Sequence, residues 1–145
     1  MMKILFIFMI FVSVIFADTQ INYNTAKLYK EDISSSTAYK MQQKGALLID
    51  VRTKVEFEES RAKNSINIPI FKDQNGKRVF NKAFLNEVYQ ASNRNLNKKI
   101  LLICRSGSRT KVASNILAQQ GFKDIYNIQY GFQYDWLKVG LPTQR

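Results

Sequence analysis

The chain has 145 residues, 46% of them apolar and 23% charged, the balance of one globular domain rather than a disordered chain. It holds no histidine and one cysteine, Cys104, which excludes imidazole bases, serine and cysteine triads, an intrachain disulfide and a thiolate zinc cage. Lys and Arg number 22 against 11 Asp and Glu, a formal +11 that favours anionic partners without naming the anion.

Met1-Met2-Lys3 leads into Ile4 to Phe16, thirteen residues that are apolar except for Ser13. A bilayer span takes about 20 apolar residues, so this run has the length of a secretory h-region, with Ala17 as the small residue before the cut. Residues 1–17 are therefore expected to be a signal peptide; an uncleaved anchor is the alternative, since Ile15 is larger than usual. The mature protein is expected to be exported, to the periplasm, with no stable membrane insertion after cleavage. In that setting an unpaired cysteine is an intermolecular bridge or a reactive thiol. Cys104 is the residue to explain.

Residues 18–27 read as a polar, flexible lead-in, and residues 28–145 as one domain. Leu28 to Glu31 is a weak strand candidate. Ser34 to Ser36 offer N-caps for a helix over 35–44 that Gly45 stops. Ala46 to Val51 is a continuous apolar run, as for a strand buried on both faces. A short helix is expected over 54–60 and a brief strand over 65–68, closed by Pro69. Asn75-Gly76 marks a turn.

Phe80, Phe84, Leu85 and Val88 recur at helical spacing, which predicts an amphipathic helix over 80–91 with this stripe in the core. Lys99 to Cys104 is the second strongly apolar strand. Val112, Ala113, Ile116 and Leu117 form the stripe of the next helix, stopped by Gly121. Asp124 to Ile128 is a further strand, and Phe132, Trp136 and Leu137 lie on a last short helix. Alternating strands and helices predict an α/β fold: a small central parallel sheet of about five strands with helices on both faces. Ligands in such sheets bind at the carboxyl ends of the strands. Asp50 and Cys104 both sit there.

A lone cysteine ending an apolar strand is usually a small buried hydrophobe. The following Arg105-Ser106-Gly107-Ser108-Arg109 is different: polar, with glycine at a tight turn, and leading into a helix. Such a loop turns successive backbone amides inward as an anion nest, and the helix dipole adds positive charge. Lys98 to Lys111 holds five basic residues and no acidic one, which favours the thiolate and makes Cys104 a candidate nucleophile. Arg105 and Arg109 are the candidate anion contacts. Arg109 has a second option, pairing with Asp50. Asp50 and Arg52 are expected to brace the loop as an ion pair, and Thr110 to help start the helix.

Cys104-Arg105-Ser106-Gly107-Ser108-Arg109-Thr110 resembles the CRSGxR[ST] active-site loop of single-domain rhodanese-like sulfurtransferases. Leu48-Ile49-Asp50-Val51-Arg52 with Glu56-Phe57 is similar to the family's DVR…E[FY] segment, Ser65 to Pro69 to its AINIP, and Gly131, Trp136 and Gly140-Leu141-Pro142 to its closing G…W…GLP. The resemblance spans about residues 28–142. It departs at Ser60 to Ser65, where the family has GHI[PK]GA, at Tyr130-Gly131 in place of GG, and at Ser108.

The resemblance implies a rhodanese-like domain in which the Cys104 thiolate takes a sulfane sulfur from a small anionic donor, of the thiosulfate or polysulfide class. A thiol or cyanide acceptor, or a thioredoxin-like protein, then removes it in a ping-pong cycle. Arg105, Ser106, Gly107, Ser108, Arg109 and Thr110 form the implied substrate-binding loop. No metal or organic cofactor is implied.

Three rival readings arise. Phosphatases and arsenate reductases of related fold use C-x5-R loops, whereas Cys104 and Arg109 are separated by four residues, a loop better sized for one sulfur atom. A sulfur carrier or interaction module keeps the same cysteine, since fold does not settle function. Nucleic-acid binding is not expected, because the basic residues form no long run and no recognition signature occurs.

Overall fold

The computed structural model describes residues 20–145. The expected signal peptide and the first residues of the lead-in lie outside the described residues. In chain order the elements are β1 (Glu31–Ile33), α1 (Ser35–Gln43), β2 (Leu47–Asp50), α2 (Lys54–Glu59), β3 (Arg61–Ala62), β4 (Ile66–Asn67), β5 (Phe71–Gln74) and β6 (Lys77–Phe80). They continue with α3 (Phe84–Ala91), β7 (Ile100–Ile103), α4 (Ser108–Gln119), β8 (Ile125–Ile128), a π-helical segment (Phe132–Trp136) and β9 (Thr143–Gln144). Among the described residues, no helix is long and apolar enough to cross a membrane.

The central sheet is parallel, with strand order β1-β8-β7-β2-β4. Its central strands are buried on both faces, which is why β2 and β7 read as unbroken apolar runs. Alternate side chains enter two separate cores. Ile49, Ile100, Leu102 and Cys104 pack with Phe84 and Val88 of α3 and Ala113 and Leu117 of α4. Leu48, Leu101, Ile103 and Ile128 pack with Ala38 of α1 and with Phe132 and Trp136 on the opposite face. Each fully buried Leu or Ile contributes roughly 1.5–3 kcal/mol.

Local chemistry sets the ends of the helices. Ser34 caps α1 by accepting from the Thr37 amide. Thr53 and Glu56 form a reciprocal capping box on α2.

Three expectations need correction. The first strand is Glu31–Ile33 rather than Leu28 to Glu31. The helix expected over 80–91 starts at Phe84, and Phe80 belongs instead to a β5–β6 hairpin turning at Asn75-Gly76, both at positive φ. The cause is Asn81, whose side-chain amide donates to the Pro69 carbonyl while its side-chain oxygen accepts from the Ala83 amide, which halts the chain before the helix. Phe80 packs edge-on against Phe71 at 6.4 Å and is 41% exposed, so it lies outside the core that Phe84 enters. The last helix is a π-helical segment of five residues.

Candidate active site

β7 ends at Ile103 and the chain turns at Cys104 into α4. The turn depends on Gly107, at φ +95°. A Cβ there would stand 1.8 Å from the Gln129 carbonyl oxygen, so no other residue fits without moving backbone. Gly131 plays the same part on the facing segment: its Cβ would lie 2.4 Å from the Cys104 carbonyl oxygen. That close approach lets the Phe132 amide donate to the Cys104 carbonyl at 2.7 Å and the Gln133 amide to the Arg105 carbonyl at 3.1 Å. Two glycines thus clamp the loop against the π-helical segment.

Inside the loop the Gly107 amide donates to Cys104 Sγ at 3.1 Å. The Thr110 hydroxyl donates to the Gly107 carbonyl at 3.0 Å and lies 3.5 Å from the same sulfur. The thiol therefore sits at the positive end of a 12-residue helix with an amide aimed at it. Cys104 is a free cysteine with no solvent exposure.

The charged residues take definite partners. Arg52 and Asp50 form a buried pair, 2.7 Å at the closest contact, and Arg52 also donates to the Ser60 carbonyl. Burial pushes the Asp50 carboxyl above its ordinary value, and Arg52 opposes that rise. The Arg52 guanidinium stacks on the Phe132 ring at 4.5 Å, linking the pair to the segment that clamps the loop.

The structure pairs Arg109 with Glu56 and not with Asp50, the ion-pair partner expected as its second option. Its two terminal nitrogens each donate to one oxygen of Glu56 at 2.8 Å. That fork, with help from Thr53, holds the Glu56 carboxyl down to about 2, and Glu56 in turn pushes the Arg109 guanidinium up. In the sequence Glu56 stands out only as part of the Glu56-Phe57 motif. The α2 capping box, legible as Thr53-x-x-Glu56, was the signal that its carboxylate is held in place.

Arg105 is exposed; its guanidinium is 3.4 Å from the Gln133 side-chain oxygen and 5.9 Å from the centre of the Tyr134 ring. It lines a cleft of about 360 Å³ with Arg52, Glu56, Phe132, Leu137 and Arg145. Ser106 and Ser108 stand on either side of Gly107, and Thr110 is buried. Among the described residues, no cluster of His, Cys, Asp and Glu suits a metal ion.

A parallel α/β sheet with a thiol held by a loop amide at a strand's carboxyl end defines a class of cysteine-loop proteins. Comparison with known proteins narrows it. Residues 34–137 match the model of the rhodanese-like domain. The chain is 32% identical over 126 residues to an uncharacterized protein of Rickettsia prowazekii, covering 79% of this chain and 97% of that one. It is 31% identical over 112 residues to the chloroplastic thiosulfate sulfurtransferase 16 of Arabidopsis thaliana, covering 77% and 91%. Among solved structures, Rv0390 of M. tuberculosis superposes with a TM-score of 0.66 at 24% identity, covering 80% of this chain and 98% of that one. The polysulfide-sulfur transferase homodimer of Wolinella succinogenes gives 0.60 at 26% identity, covering 81% and 79%. The chain belongs to the rhodanese-like family.

Proposed function

We propose that the protein is a sulfurtransferase that carries sulfane sulfur on Cys104. The observation that carries this reading is the Gly107 amide 3.1 Å from a lone thiol, in a loop whose turn only glycine allows. The names of its relatives support it: a thiosulfate sulfurtransferase and a polysulfide-sulfur transferase.

In the first step the Cys104 thiolate attacks the outer sulfur of thiosulfate. A Cys–S–S bond forms, the donor S–S bond breaks, and sulfite leaves with its electron pair. With polysulfide the leaving group is a chain shorter by one sulfur. The terminal persulfide sulfur carries the negative charge, and amides at the start of α4 stabilise it. In the second step cyanide, or an acceptor thiolate, attacks that outer sulfur. Thiocyanate, or a new persulfide, departs and Cys104 returns as thiolate.

Arg105 attracts the anionic donor to the cleft. The Glu56–Arg109 and Asp50–Arg52 pairs hold the loop's two flanks. The loop spacing argues against a C-x5-R phosphatase reading, since four residues separate Cys104 from Arg109. The burial of Cys104 favours a second reading, a sulfur carrier whose persulfide is shielded until a protein acceptor engages. Lys3 and the apolar run to Phe16 support an exported location for either role.

Turnover separates the two. Thiocyanate formation from thiosulfate or polysulfide plus cyanide is expected for the enzyme and should vanish in Cys104→Ser. A single stoichiometric transfer without turnover would establish the carrier. No transfer from any donor would remove both.

A further inference from the structure

The end of the sheet opposite Cys104 carries mainly positive charge. The turns entering β2, β7 and β8, with the residue before β1, contribute Lys44, Arg94, Lys98, Lys99, Lys123 and Lys30. Asp124 is the one carboxylate in these turns, and an exposed Glu31 follows Lys30 at the start of β1. Backbone hydrogen bonds place these turns side by side: the Leu47 amide donates to Lys99, Ile100 to Asp124 and Lys30 to Ile125. Lys98 Nζ also reaches the Gly45 carbonyl at 3.1 Å. Asp124 is shared between Lys30 at 2.9 Å and Lys99 at 3.6 Å. Lys44 and Lys123 are exposed, with no carboxylate partner among the described residues. Part of this charge complements the carboxyl ends of α1, α3 and α4, which point the same way. Six cations exceed what three helix ends require.

Two observations indicate what the face meets. Tyr23, seven residues beyond the apolar run Ile4 to Phe16 in sequence, is held at this end: it meets Gln119 at the last turn of α4, and its carbonyl accepts from Asn115 at 2.8 Å. The exposed apolar side chains nearby are aliphatic, Leu96 beside Gly121 and Ile21 in the lead-in. The large exposed aromatics lie elsewhere: Phe80 on the hairpin, Tyr134 beside Arg105 and Tyr130 just before Gly131. Lysines with interspersed aliphatics suit a lipid headgroup layer, whereas single-stranded nucleic acid needs aromatic faces for stacking.

We propose that this basic face docks the domain on an anionic phospholipid surface. Cys104 lies five residues beyond Lys99 along β7, about 16 Å further from that surface. The cleft then opens away from the bilayer, toward soluble donors and acceptors.

The test is sedimentation of the full chain with vesicles of phosphatidylcholine alone or with 30 mol% phosphatidylglycerol, at low and high salt. The chain's apolar N-terminus contributes equally to every variant, so the increment due to phosphatidylglycerol is what is read. A salt-sensitive increment is expected. It should fall about tenfold or more in Lys44→Gln/Lys98→Gln/Lys99→Gln/Lys123→Gln. The milder Lys44→Gln/Lys123→Gln, which breaks no ion pair of the described residues, should lose part of it.

Lys54→Gln/Lys63→Gln/Lys72→Gln/Lys77→Gln removes four lysines elsewhere and should retain most of the increment. Sulfur transfer should be unchanged in Lys44→Gln/Lys123→Gln. No increment, or equal loss in the two quadruple variants, would overturn the proposal. Release of the chain from vesicles by a short RNA that binds more tightly would replace the lipid surface with nucleic acid.

Discussion

Arg109 and Glu56 meet through two parallel hydrogen bonds of 2.8 Å each, joining the first turn of α4 to the first turn of α2. Arg109 sits two residues beyond Gly107, so this fork fixes where the helix following the thiol begins.

Glu56→Gln is expected to lower stability by about 1–3 kcal/mol, since it leaves a half-buried guanidinium without its carboxylate. The pH dependence identifies the cause. Glu56 is held down to about 2 in the folded protein, so its contribution is complete above the unfolded carboxylate value near 4.3. It is lost as pH falls through about 2. Denaturant midpoints of wild type and Glu56→Gln should therefore differ above pH 5 and converge toward pH 2. A constant difference across that window would show that the pair is not its source.

Gly107→Ala and Gly131→Ala are expected to destabilise by more than about 3 kcal/mol or to prevent folding, because each Cβ collides with backbone. Gly45→Ala is the control: φ is +98° there too, but the space is open. It should cost about 1–2 kcal/mol. Thermal unfolding of the three variants measures the difference.

Arg105→Gln should leave stability within about 0.5 kcal/mol, as expected of an exposed side chain. KM for thiosulfate should rise roughly tenfold, the effect of losing one charge-assisted contact of about 1.4 kcal/mol, with kcat less affected. The rise should shrink at high salt. Steady-state kinetics at two ionic strengths tests this.

Thr110→Val keeps the shape of a fully buried side chain but removes the hydroxyl shared between the Gly107 carbonyl and Cys104 Sγ. Stability should fall by about 1–3 kcal/mol. The first, sulfur-accepting step should slow, as read by single-turnover release of sulfite.

The elements legible in the sequence were those with one dominant signal. Strands β2 and β7 are buried on both faces and read as apolar runs, and α1 and α4 end near Gly45 and Gly121. The parallel sheet followed from their alternation. The β5–β6 hairpin was hidden because Phe80 falls in helical register with Phe84, while Asn81, which breaks the register, acts through contacts to Pro69 and Ala83. At the site, Cys104 and its loop stood out by local composition, and Asp50 and Arg52 by lying at a strand end. Arg109's partner was not legible, because Glu56 lies 53 residues away. Nor was the role of Gly131, which depends on its approach to the Cys104 carbonyl.

The most direct test is intact-protein mass spectrometry, without reductant, before and after thiosulfate or polysulfide, with Cys104→Ser alongside. A gain of one sulfur atom is expected, reversed by cyanide and absent from the variant. No gain from any donor, at a thiol shown to be free, would contradict sulfur transfer through Cys104.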